Sequence, residues 1–409
     1  MGKKHKAPKS PPRHRSRLKQ ALLGLGIGVP ALALALFIAA NKVEWVGPLM
    51  ADSLRAVVGT RAVARLEDFA YGVEDDWNQV WKRNDKPKAY WQVPTAHAQP
   101  RHRPKKVADK GPPPLPPFQP TDVGPMHKNW SAPGDGVWVA IDDPRHPDDD
   151  PHLFKTLIHP DRNRSWAELF VVAIDLRRTE LKLVAGSREP MANTEDGRKY
   201  ERPALIAKKD LPELLAGFNG GFKTEHGHYG MKVDGVTLLS PRKRACVVAD
   251  FKDDTLKIGA WKDLADSADD MQWYRQTPGC MYDHGKMHVG LRNEDATAWG
   301  ATLDGDTVIR RSAIGIDKTG KILYVGISNH TSAPAIAEGM HFAGATSVAQ
   351  LDVNWSYPKV VLYRPGDDGK LEAEPLAEGF EFSKDEYLRQ RSRRDFFYLV
   401  RKDNETARR

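Results

Sequence analysis

Twenty consecutive residues, Ala21 to Ala40, carry no charged side chain. A helix of that length reaches about 30 Å, the thickness of a bilayer's hydrocarbon core. The run is dominated by Leu, Ala, Gly and Ile, and a transmembrane anchor over residues 21–40 is the expectation. The rival reading is a signal peptide cleaved after Ile38-Ala39-Ala40, but the run is longer than the usual ~7–15 residue apolar core of such a peptide. Residues 1–20 form a basic tail, with Lys3, Lys4, Lys6, Lys9, Arg13, Arg15, Arg17 and Lys19 and no acid. Basic flanks stay in the cytoplasm, so the chain after Asn41 is expected on the periplasmic or extracellular side of a single-pass membrane protein. Alone, such a tail also fits nucleic acid. Beside a membrane segment it meets anionic lipid first, and no nucleic-acid partner is expected.

The remainder is uneven. Of 409 residues, 40% are hydrophobic and 28% charged, which excludes a wholly disordered chain. Within residues 41–93, Leu54, Val57, Val58, Val63, Leu66 and Phe69 recur at roughly helical spacing and predict a helical stalk or surface segment. Trp45, Trp77, Trp81 and Trp91 fit the membrane interface or packing on the main domain equally well. Residues 94–125 are proline-rich around Gly111 to Pro117 and predict an extended linker without helix or sheet, which would hold the folded domain away from the bilayer.

Residues 126–409 are the expected folded domain. Short apolar runs broken by Gly, Asp and Pro predict strands at Val137–Ile141, Leu169–Ile174, Leu181–Val184, Val233–Leu239, Cys246–Phe251 and Leu256–Ile258. Helices are expected at Leu211–Leu215, Leu264–Tyr274 and Pro334–Ala343, the last with Ser332 as N-cap and Gly344 as C-cap. The fold class is α+β, with a mixed or mostly antiparallel sheet and a few helices. Cys246 and Cys280 lack zinc or redox spacing; export permits a bridge, and the sequence leaves pairing and two separate thiols equally open. The loop with Asp142, Asp143, Asp148, Asp149 and Asp150 has the oxygen ligands calcium takes but not EF-hand spacing, and reads as a solvated turn. Glu225, His226 and His228 resemble a metal set, but a third ligand is not identifiable. Neither metal nor cofactor is expected.

Two strand ends carry the chemistry. Gly217-Phe218-Asn219-Gly220-Gly221-Phe222 ends in adjacent glycines, which permit positive φ and close approach of a ligand to their N–H groups. Gln350-Leu351-Asp352-Val353-Asn354-Trp355-Ser356 ends in a carboxylate, an amide and a hydroxyl. The functional reading requires the two ends to meet in space. Without further information, the glycines read as a tight turn, and Asp352, Arg311 and Ser356 as loop or surface residues.

Taken in order, Asn219-Gly220-Gly221-Phe222, Val233-Asp234-Gly235, Arg311 to Asp317 with Gly320, and Gly344-Ala345 leading to Leu351-Asp352 and Ser356 resemble the landmarks of the phosphodiester glycosidase domain family. That family includes the lysosomal uncovering enzyme and bacterial relatives tied to exopolysaccharides, and the resemblance covers roughly residues 165–402, including a closing strand Phe396 to Arg401. It implies hydrolysis of a sugar-1-phosphodiester in a phosphate-linked glycan or cell-envelope polysaccharide. Asp352, Arg311 and Asn219 would be the catalytic residues: Asp352 steadies the oxocarbenium-like centre or activates water, and Arg311 neutralises the departing phosphate. Gly220, Gly221, Asn354, Ser356 and, beside the helix at Pro334, His330 would bind substrate. The family shows Leu-Asp-Gly-Gly-Gly-Ser-Ser at the second strand end, where this chain has Leu351-Asp352-Val353-Asn354-Trp355-Ser356-Tyr357. Losing that glycine run implies a different substrate, or a catalytically inactive glycan-binding or envelope-organising module of the same fold.

Overall fold

The computed structural model describes residues 60–93, 115–293, 297–299 and 307–402. The chain divides into two units, Met1–Leu66 and Glu67–Arg409, and nearly all described residues belong to the second. The expected basic tail and the anchor at residues 21–40 lie outside the described residues. Among the described residues, no helix is long and apolar enough to cross a membrane.

Three antiparallel sheets build the second unit. The largest has eight strands in the spatial order Val139–Ile141, Leu153–Ile158, Leu169–Asp175, Ile322–Thr331, Ile309–Ile316, Ser347–Val353, Tyr282–Asp283 and Lys286–Met287. A five-stranded sheet runs Val236–Leu239, Met231–Val233, Met271–Thr277, Cys246–Phe251 and Leu256–Ala260. The other five-stranded sheet runs Leu371–Pro375, Val360–Pro365, Leu214–Asn219, Phe396–Arg401 and Thr179–Val184. One hydrophobic core draws on all three, with Phe170, Ile314 and Leu351 from the first, Val248 and Trp273 from the second and Phe218 and Phe397 from the third. Strands such as Leu169–Asp175 and Ser347–Val353 are buried along their whole length; the first reads as an apolar run up to Asp175, whereas the second buries Ser347, Gln350 and Asp352 among its apolar residues.

Helix Ala333–Phe342 covers the outer face of the large sheet. Ser332 caps it by accepting from the Ala335 N–H at 3.3 Å, Pro334 occupies its first turn, and Gly344 follows at φ +122°. The expected helix thus forms, one residue from its expected bounds. Two other expected helices do not. Leu211–Leu215 is divided between a 3₁₀ turn, Lys208–Glu213, and the strand Leu214–Asn219. Leu264–Tyr274 is a short helical and 3₁₀ stretch ending at Asp270, and Met271–Thr277 is a central strand. In that strand every residue but Gln272 is buried, so its apolar positions carry no two-residue period. The run Val233–Leu239 is a hairpin turned at Asp234 and Gly235, whose φ values of 50° and 77° match a tight primed turn.

The proline-rich segment differs from a free linker where it is described. Residues 115–125 form neither helix nor strand, but Phe118 packs edge-on against Phe154, Asp122 accepts from the Trp138 N–H at 2.8 Å, and Arg178 holds the carbonyls of Leu115 and Pro116. This part of the segment straps the domain. Cys246 and Cys280 form a disulfide, closing the open question in favour of the bridge. The aspartate-rich loop is held by arginines: Arg401 reaches Asp149 at 3.1 Å and Asp143 at 3.2 Å, and Arg145 reaches Asp143 at 3.0 Å. Among the described residues, no group of three or more His, Cys, Asp or Glu is arranged to hold a metal.

Candidate functional site

The two strand ends meet. The Asp352 N–H donates to the Gly220 carbonyl at 3.3 Å, so the end of Ser347–Val353 touches the turn that follows Leu214–Asn219. Asn219 is the staple between them. Fully buried, it donates from Nδ2 to Ser312 Oγ at 2.8 Å and to the Gly220 carbonyl at 3.0 Å, and it accepts at Oδ1 from the Lys359 N–H at 3.1 Å. Ser312 in turn donates to the Asp352 carbonyl at 3.1 Å. The side chain expected to touch substrate therefore spends both donors and its acceptor on joining three strands.

The double glycine is likewise turned inward. The Gly220 N–H donates to the Asp395 carbonyl and the Gly221 N–H to Asp395 Oδ2, both at 2.9 Å. Asp395 forms a fully buried ion pair with Arg275 at 2.8 Å, and Arg275 also donates to the carbonyls of Phe222, Tyr229 and Gln276. Neither glycine takes positive φ. They are glycines because the pair sits against them: a Cβ on Gly220 would lie 2.1 Å from Asp395 Oδ2, and one on Gly221 would lie 2.8 Å from the Arg275 guanidinium carbon. The N–H groups expected to hold sugar or phosphate oxygens hold the backbone carbonyl and the carboxylate of Asp395.

The second strand end is arranged differently. Asp352, 1% exposed, accepts at Oδ2 from Arg394 Nη1 and from Asn354 Nδ2, each at 2.6 Å. Asn354 folds the following loop by accepting at Oδ1 from the Ser356 and Tyr357 N–H groups at 3.0 and 2.7 Å. Ser356 is exposed beside it. Arg394 lies over the Tyr357 ring, its guanidinium carbon 4.1 Å from the centroid, and donates to the Gly221 carbonyl at 3.0 Å. Burial works to lower the Arg394 pKa, but Asp352 and its neighbours outweigh it and leave the pKa above the ordinary arginine value. Among the described residues, Arg394 Nε is buried without a hydrogen-bond partner. His226 lies within electrostatic reach of Asp352 and Arg394, its pKa lowered by burial and partly restored by Asp352.

The cation beside Asp352 is thus Arg394 and not Arg311. Arg311 is fully buried on Ile309–Ile316, and it donates to the carbonyls of Thr331, Trp299 and Thr307 and to Gln350 Oε1. Its hydrogen bonds knit the strand into the large sheet. His330 is set apart, with its ring edge-on to Trp355 at 5.1 Å and its pKa pushed down to about 4, chiefly by burial. Arg310 lies over the Trp355 ring, its guanidinium carbon 5.6 Å from the centroid. Trp355 also packs with Val353 on Phe222 and Ile309, which are joined there by Tyr71 of the helix Thr60–Trp81.

Sequence reasoning missed Arg394, Asp395 and Arg275. The signal for the first two was present in Arg391-Ser392-Arg393-Arg394-Asp395, a charged run abutting the expected closing strand. Asn219 and Phe396 are register partners, which sets Asp395 beside Gly220. Arg275 gave no such signal, because a charge in the middle of an apolar run argues against a buried strand unless its partner is known.

No protein-family model matches the chain, and no curated protein matches it. Among solved structures, the chain is similar to the zebrafish N-acetylglucosamine-1-phosphodiester alpha-N-acetylglucosaminidase catalytic domain auto-inhibited by its pro-peptide, at 16% identity and a TM-score of 0.41, over 65% of this chain and 88% of that one. A hypothetical protein from Synechocystis aligns at 11% identity and a TM-score of 0.31, over 63% of this chain and 65% of that one. A putative exported protein from Burkholderia pseudomallei aligns at 12% identity and a TM-score of 0.31, over 57% and 74%. At these values the likeness is a distant one of fold.

Proposed function

We propose that the domain hydrolyses a sugar-1-phosphodiester in a phosphate-linked glycan of the cell envelope, with Asp352 and Arg394 as its working pair. The observation that carries this reading is the pair itself: a carboxylate and a guanidinium in contact at the junction of two strand ends, with Arg394 Nε left out of hydrogen bonding. Phosphate is a weakly basic leaving group, so cleaving the anomeric C–O bond asks for little proton donation. Asp352 steadies the positive anomeric carbon or takes a proton from the attacking water. Arg394, in the role expected of Arg311, offsets charge on the departing phosphate. Asn354 orients Asp352, and Ser356 stands at the rim to bind substrate. Asn219, Gly220 and Gly221 fix the position of the strand ends. Anchoring through residues 21–40, with the domain outside, belongs to the same reading and is supported by the Cys246–Cys280 bridge, which suits an oxidising compartment.

One observation favours a second reading, a glycan-binding module without turnover. Where a glycine run would leave the backbone open, Val353 is buried and the Trp355 ring packs against His330 and Arg310. The deciding experiment offers the purified full chain a panel of sugar-1-phosphodiesters and measures phosphomonoester release, with Asp352→Asn and Arg394→Lys in parallel. Turnover that Asp352→Asn abolishes supports hydrolysis. Glycan binding without turnover moves the assignment to the second reading.

A further inference from the structure

From Val73 to Trp81, the helix Thr60–Trp81 carries an outward apolar and aromatic stripe. Val73, Trp77, Val80 and Trp81 are 51, 63, 75 and 65% exposed, and the two indoles lie tilted to each other with centroids 5.4 Å apart. Spacings of four, three and one residues place them on one side of the helix. The other side is committed to the domain: Tyr71 joins the cluster around Phe222, Asp75 pairs with Arg164 at 2.6 Å, and Asn78 is buried. The helix cannot turn this stripe inward without breaking those contacts.

We infer that this face lies in the headgroup layer of the membrane. The inference rests on the anchored topology proposed above, and three observations favour a lipid surface over a protein partner. The uncharged run ends at Ala40, so only residues 41–59 separate it from the helix, and the helix stays within reach of the bilayer. The stripe is led by tryptophan, whose amphipathic ring suits the boundary between acyl chains and headgroups. Lys82, Arg83 and Lys86 follow the helix directly and supply cations for anionic headgroups. The tryptophans expected at either the interface or the domain therefore divide. Trp77 and Trp81 face outward, whereas Trp91 packs against Phe170 under the ammonium of Lys155.

The test reconstitutes the full chain in phosphatidylcholine–phosphatidylglycerol vesicles whose acyl chains are brominated near the headgroup, and compares tryptophan emission with that in unbrominated vesicles. Wild type is expected to float with the vesicles and to show a bromine-quenched component. Trp77→Phe/Trp81→Phe should lose that component. Val80→Asp, at a position too exposed to disturb folding, should float as wild type does but reduce the quenching. Quenching equal in wild type and the double variant overturns the inference, with flotation still supporting the anchor. Protection of both indoles that rises with protein concentration, in detergent as in lipid, assigns the face to a second copy and also overturns it. A chain that fails to float removes the anchor and the inference together.

Discussion

Two strand ends with similar sequence logic have opposite fates in this domain. Asn219-Gly220-Gly221 looks like a ligand loop and is a sealed joint, the N–H groups of both glycines taken by Asp395 and their Cβ space filled by Asp395 and Arg275. Asp352 to Ser356, crowded by Val353 and Trp355, looks like a degraded site, yet it keeps a carboxylate paired to a guanidinium at the end of a fully buried strand. Glycine marks close approach, and what approaches here is protein, not ligand. Only the inventory of hydrogen-bond partners separates the cases.

The sharpest way to break this contrast is at Asp395. Asp395→Ala leaves Arg275 buried and unpaired and removes the acceptor for the Gly221 N–H, so a loss of about 3–5 kcal/mol is expected in denaturant unfolding. A variant of near wild-type stability would show that the joint is not sealed. Next comes Asp352→Asn, which should lower turnover at least ~100-fold, or about 2.7 kcal/mol of barrier. Its stability cost should be smaller than that of Asp395→Ala, because Arg394 retains the Gly221 carbonyl and the Tyr357 ring. Equal loss of stability at both aspartates would erase the distinction between joint and site. Gly220→Ala drives a methyl into Asp395 and should cost about 1–3 kcal/mol in the same unfolding assay, whereas Ser356→Ala, on an exposed loop, should leave stability unchanged.

The smallest expected effect is in pH dependence. His330 has a folded pKa of about 4, below the ordinary value of about 6.5 for an unfolded chain, because burial disfavours its charged form. Its contribution to stability is therefore complete above pH ~6.5 and is lost as the pH falls towards 4. His330→Gln should reduce the drop in Tm between pH 7.5 and 5 by about 2–4 °C. An unchanged drop would mean that His330 is solvated and that Trp355 is not held against it.

Much of the architecture was legible in the chain. The strand at Cys246–Phe251 and the capped helix at Ala333–Phe342 follow from an apolar run and end signals that need no tertiary knowledge, whereas the closing strand Phe396–Arg401 came with the family resemblance. Met271–Thr277 was not legible, because a strand buried on both faces has no two-residue period and Arg275 disguises it further. The meeting of Gly220 with Asp352 was legible through motif order. The choice between Arg311 and Arg394 was not: both are arginines beside strands, and only the pairing of Ile309–Ile316 with its neighbours turns one into the sheet and leaves the other on Asp352.

The strand Phe396–Arg401 is the last in chain order among the described residues, yet it is inserted between Thr179–Val184 and Leu214–Asn219. Arg394 and Asp395 arrive with it. During synthesis the chain holds Asp352 and the double glycine before it holds either of the charges that complete them. The pair proposed to act on substrate therefore waits for the last described strand, and a chain stalled or clipped before residue 394 has no such pair at all.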